Sequence, residues 1–359
     1  MAASSDATWS AQGTTPDAIE AALRGLLAER HAENEGWVPA RALNMIVFED
    51  AEWGGEVANR LRGVGRYHAS RLVVLSYSRR RERLDARASV VAEGDPRPGE
   101  LGLLRETVVV ELGERHLDDL YTIADPLVVS DLPTLLWSPH GHHRVVRELL
   151  GLAQAVLVDS VDEDDPREAA ERACELSREA YVVDLAWLRS TPWRERIATA
   201  FDPPAARREL GTLSAVGVRH HPESGIAAML LVGWLASRLG WEVERLVAHE
   251  GALTARAHGR RQDVTLRLEA TPEQTVRGLA GLELKTADGR VLRLDRGPGG
   301  LHAYSRRPGK GGGADRELRW TMLGASRGEG GILGEGIRQA LLRDPTYTPA
   351  LKLAARLAP

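Results

Sequence analysis

Cysteine is almost missing from this chain: Cys174 stands alone among 359 residues. A lone thiol excludes an intrachain disulfide and any zinc cage built from cysteines, and it suits a reducing compartment. Lysine is nearly missing too, since Lys285, Lys310 and Lys352 are the only ones among 47 basic residues. An arginine bias this uniform reads as the mark of a GC-rich genome and carries no functional signal of its own. Net charge is close to balance at −4, with no basic tail or stripe along the chain. The phosphate-neutralising surface that nucleic acid requires is therefore not visible, and nucleic acid is not an expected partner. No apolar run approaches the roughly 20 residues needed to span a bilayer. The longest, Gly225 to Ala236, reads as a core helix of a soluble protein. Met1 to Pro16 is small and polar with no apolar centre, so neither a signal peptide nor an anchor is expected there, and the reading is cytoplasmic.

Catalytic constellations are scarce as well. Gly324-Ala325-Ser326-Arg327-Gly328 matches the nucleophile-elbow spacing, but that fold needs a histidine after the serine, and the last histidine is His302. Gly63-Val64-Gly65 opens like a dinucleotide fingerprint, yet His68 replaces the third glycine and the segment follows a helix instead of a strand. Gly309-Lys310-Gly311 lacks the hydroxyl residue and upstream glycine of a phosphate loop and reads as a flexible connection. His140, His142 and His143 lie in a Pro/Gly turn with no cysteine or carboxylate at ligand spacing, so a solvated turn is expected. His220-His221, beside Pro222, reads the same way. Ser70-Arg71 opens a buried strand, the wrong end for ligand binding, and closes a loop. The acidic run Asp162 to Asp165 precedes Pro166 and reads as a helix start with Asp165 as cap and Glu168 completing a capping box. No metal, cofactor or catalytic residue is expected.

A length of 359 residues points to two domains. Residues 1–15 read as disordered, 16–205 as an α/β domain with a mostly parallel sheet, and 206–359 as an α+β domain with a largely antiparallel sheet. In the first, LNMIVF (43–48) and RLVVLSY (71–77) are continuous apolar runs typical of strands buried on both faces, with helix between them. Residues 86–112 read as a possible antiparallel edge. Beyond Trp241, seven short alternating runs separated by glycine-containing turns read as antiparallel strands. Two helices close the chain.

The most informative stretch is Val183 to Phe201, VDLAWLRSTPWRERIATAF, in which two tryptophans and three arginines surround one proline. Thr191-Pro192 reads as a helix start with Thr191 as N-cap. Trp193, Ile197, Ala200 and Phe201 then share one face, while Arg194 and Arg196 lie off it and are expected to be available. Trp and Arg dominate interface hot spots, so Trp187, Arg189, Trp193, Arg194 and Arg196 are the candidate partner-binding residues. The other reading makes both tryptophans core and Arg189 an internal ion-pair partner.

Asp184, Trp187, Arg189, Trp193 and Arg194 also fill a D-x-x-W-x-R-x-x-x-W-R string. With it come Tyr67 to Leu75, the Pro-Asp-Leu-Pro-like block from Pro126 to Trp137, Leu157-Val158-Asp159-Ser160, Gly233 to Leu239, Leu333-Gly334-Glu335 and Arg343-Asp344-Pro345-Thr346-Tyr347. In order and spacing these blocks resemble the glucose-6-phosphate dehydrogenase assembly proteins, the OpcA-type family. The resemblance implies a non-catalytic protein that promotes assembly or allosteric activation of glucose-6-phosphate dehydrogenase in the oxidative pentose phosphate pathway. Two departures stand out: a double tryptophan is here Trp137-Ser138, and the paired regulatory cysteines of cyanobacterial members have no counterpart. The alternatives are a sugar-phosphate or nucleotide-binding sensor and a divergent α/β enzyme.

Overall fold

A computed structural model describes residues 6–64, 70–93, 100–309, 314–323 and 328–359. The candidate elbow serine Ser326, His68 of the glycine fingerprint and Lys310 lie outside these residues. The chain forms two compact units, one of residues 1–158, 179–183 and 329–342, the other of 159–178, 184–328 and 343–359. Each is discontinuous, whereas the sequence suggests two contiguous domains meeting at 205/206.

In chain order the first stretch runs β1 (Ala7–Ala11), α1 (Pro16–Glu33), β2 (Trp37–Pro39), β3 (Leu43–Asp50), α2 (Gly54–Val64) and β4 (Ser70–Tyr77). It continues with β5 (Asp85–Glu93), β6 (Gly102–Leu112), α3 (Leu120–Ala124), β7 (Thr134–Trp137), α4 (His143–Leu149) and β8 (Ala155–Val158). Then come α5 (Pro166–Leu176), β9 (Tyr181–Asp184), α6 (Leu185–Arg189), α7 (Thr191–Phe201), α8 (Pro204–Glu209), β10 (Leu213–His220) and α9 (Gly225–Leu239). Strands β11 (Glu242–Val243), β12 (Val247–His249), β13 (Ala252–His258), β14 (Asp263–Ala270), β15 (Leu279–Thr286), β16 (Val291–Gly297), β17 (Gly300–Arg307) and β18 (Arg316–Leu323) follow, then α10 (Gly328–Leu342) and α11 (Tyr347–Leu357).

The first unit is built on a nine-stranded sheet, ordered β1-β5-β6-β4-β3-β7-β8-β9 with β2 beside β6. Strands β6, β4, β3, β7 and β8 are parallel, while β5 runs antiparallel to β6 and β1 antiparallel to β5. This is the mostly parallel sheet with an antiparallel edge that the apolar runs predict. Leu43 through Glu49 is buried throughout because β3 is central and covered on both faces. Thr15 caps α1 by accepting a hydrogen bond from the Ala18 N–H at 3.4 Å, and Ile19, Leu23 and Leu26 form its buried stripe. Residues 7–11 correct the expectation of a disordered N-terminus. Ala7, Trp9 and Ala11 alternate with exposed Thr8 and Ser10, and that period lets the segment pair with β5. Arg71 does more than close a loop. It is 3% exposed and held by Glu106 at 2.8 Å and Glu20 at 3.0 Å.

The second unit carries its own nine-stranded sheet, ordered β11-β13-β14-β10-β15-β16-β17-β18 with β12 beside β13. Only β10 and β14 are parallel neighbours; every other pairing is antiparallel. Helix α9 is apolar nearly all round, and eleven of its residues are buried. It packs so tightly on α11 that a Cβ on Gly233 would lie 2.3 Å from the Ala350 carbonyl oxygen. That close approach explains the glycine in the Gly233-Trp234 block.

Candidate functional site

The Trp/Arg segment lies inside the second unit, which corrects the expectation that Arg194 is available, while Arg196 is exposed as expected. Trp187 and Trp193 are each 2% exposed and Arg194 is 9% exposed. The reason is local. Ser190, not Thr191, occupies the N-cap position of α7, and the break at Ser190 turns Arg194 back over α6. Its guanidinium lies 3.5 Å above the Trp187 ring, donates to Ser190 Oγ at 3.1 Å and to Thr191 Oγ1 at 2.9 Å, and sits 3.6 Å from Asp344. Burial lowers the pKa of Arg194 to about 10, with Asp344 opposing, so it remains a cation at neutral pH. Trp187 donates its indole N–H to Asp344 at 2.9 Å and its ring stands 5.5 Å from that of Tyr347. Arg189 grips Asp159 with two bonds of 2.8 and 2.7 Å. Of the five candidates only Arg196 is exposed.

Asp184 is the hub of this cluster and was not singled out by sequence reasoning except as a member of the string. Its carboxylate accepts from the backbone N–H of Ala186 at 2.9 Å, capping α6, and from the N–H of Ser160 at 3.2 Å. It also accepts from the hydroxyls of Ser160 and, at 3.1 Å, Tyr347. Complete burial pushes its pKa up to about 6, with the neighbouring Asp159 adding to the rise and the Ser160 and Ala186 hydrogen bonds opposing it. Asp344 goes the other way. Burial raises it, but the Thr346 hydroxyl and N–H, Trp187 and Arg194 outweigh that and hold it below the ordinary carboxylate range. Three segments far apart in sequence, 159–160, 184–194 and 344–347, are thereby tied at one buried polar centre. It is a positioning device, with its donors and acceptors spent on one another.

In the first unit the carboxyl edge of the parallel sheet is where this kind of fold binds ligands, with anions at the start of the first crossover helix. The β3 to α2 turn reads Glu49-Asp50-Ala51-Glu52-Trp53-Gly54. Glu49 is 5% exposed, and its carboxyl oxygen would lie 3.0 Å from a Cβ on Gly54, the first residue of α2. Burial raises the Glu49 pKa, countered by Arg87 and a hydrogen bond from Ser76. A carboxyl group therefore borders the place an anion would take, and Asp50 and Glu52 stand in the same turn. His142 Nε2 lies 3.0 Å from Asp50, and its ring packs edge-on against Phe48 at 4.8 Å. His142 holds a positive φ of 50° to reach this position. The three-histidine turn is therefore anchored, and among the described residues no group of three metal-ligating side chains occurs. Beside α2 lies a cleft of about 580 Å3, floored by Leu72, Val74 and Val109 and rimmed by Arg62, Arg87 and Arg105.

Comparison with known proteins follows the same lines. Residues 62–175 match the family described as glucose-6-phosphate dehydrogenase subunit N-terminal domain, and residues 180–351 its C-terminal domain. The chain is 30% identical over 129 residues to an OxPP cycle protein OpcA of Synechocystis sp., covering 35% of this chain and 27% of that one. It is 32% identical over 120 residues to the protein of the same name from Nostoc punctiforme, covering 32% and 26%. The matched part thus spans about a quarter of these curated relatives' length. Among solved structures, glucose-6-phosphate 1-dehydrogenase of Mycobacterium avium shares the fold at a TM-score of 0.51 and 11% identity, over 89% of this chain and 91% of that one. The paired domain matches, covering both halves of the chain in order, place it in the glucose-6-phosphate dehydrogenase assembly protein family.

Proposed function

We propose that this protein is a non-catalytic, cytoplasmic partner of glucose-6-phosphate dehydrogenase that promotes the assembly or activation of that enzyme. One observation carries the non-catalytic part: the turn into α2, where a fold of this kind holds a pyrophosphate, is bordered by the carboxylates Glu49, Asp50 and Glu52. A dinucleotide pyrophosphate needs that helix start free and glycine-lined, without carboxylates. Glu49, Asp50 and Glu52 do not fit it. The family and the names of the relatives support the partner.

Acting on an enzyme without doing chemistry leaves one thermodynamic route. The protein must bind the active conformation or oligomer more tightly than the inactive one, since equal affinity shifts nothing. A roughly hundredfold preference supplies about 2.7 kcal/mol. In this reading the Trp/Arg segment serves binding indirectly, by holding the second unit in one shape through Trp187, Arg189, Trp193 and Arg194.

The test measures dehydrogenase activity at subsaturating substrate, and mass by light scattering, with and without this protein. Raised activity or a larger assembly, with the protein alone inert, is the expected result. Unchanged kinetics and mass over a wide excess would overturn the proposal.

A further inference from the structure

The second sheet has one face against α9, where Val216, Val218, Leu266 and Leu284 are buried, and one face open. Cross-strand register aligns the open face into rows. The central row runs Arg267, Gly217, Glu283, Arg293, Tyr304 and Arg319 across β14, β10, β15, β16, β17 and β18. The rows beside it add Arg256, Arg219, Lys285 and Arg306 against Glu269, Asp295 and Glu317. In these three rows seven cations therefore meet four carboxylates, in a chain whose net charge is −4.

The arginines are held in place without being used up. Arg219 lies flat across Gly281 to reach Asp295, and Glu283 pairs with both Arg293 and Lys285. Exposed pairs of this kind are weak in water, so an incoming carboxylate exchanges for an internal one at little cost. Arg256 and Arg319, near opposite ends of the face, have no carboxylate within ion-pair distance among the described residues. Arg319 instead stacks over Tyr304 at 5.4 Å. Gly217 leaves a depression of about 610 Å3 beside Glu283 and Arg293.

Size fits as well. Seven strands at ~4.8 Å spacing and three rows at ~7 Å make a patch of roughly 700 Å2, near the ~800 Å2 per partner of a stable interface. We propose that this open sheet face is where the chain grips the dehydrogenase, receiving carboxylates of the enzyme between its arginine rows. The inference rests on the partner reading above. Electrostatic contact of this type also steers encounter and weakens with salt.

Binding to the dehydrogenase of the same organism, measured by titration calorimetry at 50 and 200 mM salt, tests it. The variants are Arg256→Glu/Arg319→Glu, the milder Arg256→Ala/Arg319→Ala, and Arg24→Glu on α1 as control, each with its denaturant midpoint. We expect wild-type affinity to fall with salt, the charge reversal to lose at least tenfold, the alanine pair to lose less, and the control to match wild type. All midpoints should agree. If wild type binds and both double variants bind equally well, the surface assignment is overturned while the partner reading stands. If wild type does not bind at all, the partner reading itself fails.

Discussion

Replacing Asp184 by Asn removes a charge without removing the geometry around it. Asn Oδ1 can still accept from the Ser160 and Ala186 N–H groups, and its amide can donate to the hydroxyl oxygens of Ser160 and Tyr347 once these turn to accept. In the wild type, burial raises the folded-state pKa to about 6, above the ~3.9 of an unfolded aspartate. The folded state therefore holds this proton more tightly. The associated stability is fully present below about pH 4 and is lost as pH rises through about 6. A rise of this size corresponds to roughly 3 kcal/mol. Urea midpoints of wild type and Asp184→Asn, taken from pH 4 to 7.5, give a difference curve in which titrations common to both cancel. The variant should gain on the wild type by about 3 kcal/mol across that window, most steeply near pH 5 to 6. A flat difference, or a wild type that gains on the variant as pH rises, would refute the reasoning, because the four accepted hydrogen bonds would then outweigh burial.

Arg194→Ala should lower stability by about 3–5 kcal/mol, since it strands the half-buried Asp344 and uncovers Trp187, whereas Arg196→Ala should stay within about 0.5 kcal/mol; denaturant midpoints separate the two. Gly233→Ala places a methyl 2.3 Å from the Ala350 carbonyl oxygen and 3.0 Å from the Ala354 nitrogen, forcing α9 and α11 apart at a cost of about 1–3 kcal/mol, read as a lowered melting temperature. Cys174 is half-buried and burial raises its thiol pKa, so alkylation at neutral pH should be slower than for a free thiol, and Cys174→Ser should leave activation of the dehydrogenase unchanged. NADP+ titrated against wild type should give no saturable heat at millimolar concentration, and a micromolar dissociation constant would contradict the reading of Glu49, Asp50 and Glu52 as excluding a pyrophosphate from the start of α2.

Local sequence determined the elements. Continuous apolar runs marked β3 and β4 because a central parallel strand buries both faces, and alternation marked β14, β16 and β17 because a one-sided antiparallel sheet buries every second residue. Alternation in residues 7–11 was equally present, but too short to outweigh the polar surroundings; only pairing with β5 made it a strand. The string from Asp184 to Arg194 was legible as special, yet its role was not. Spacing along a helix places Arg194 off the apolar face, whereas Asp344, about 150 residues downstream, draws it inward. The same holds for charge: along the chain no basic stripe exists, because Arg256, Arg267 and Arg293 each alternate with buried apolar residues and the other basic residues of the open face are scattered over separate strands. Strand register alone lines them up into rows. Periodicity is a property of neighbours in sequence, so it is written there; burial of a charge and the sign of a surface depend on partners that only the folded chain brings within a few ångströms.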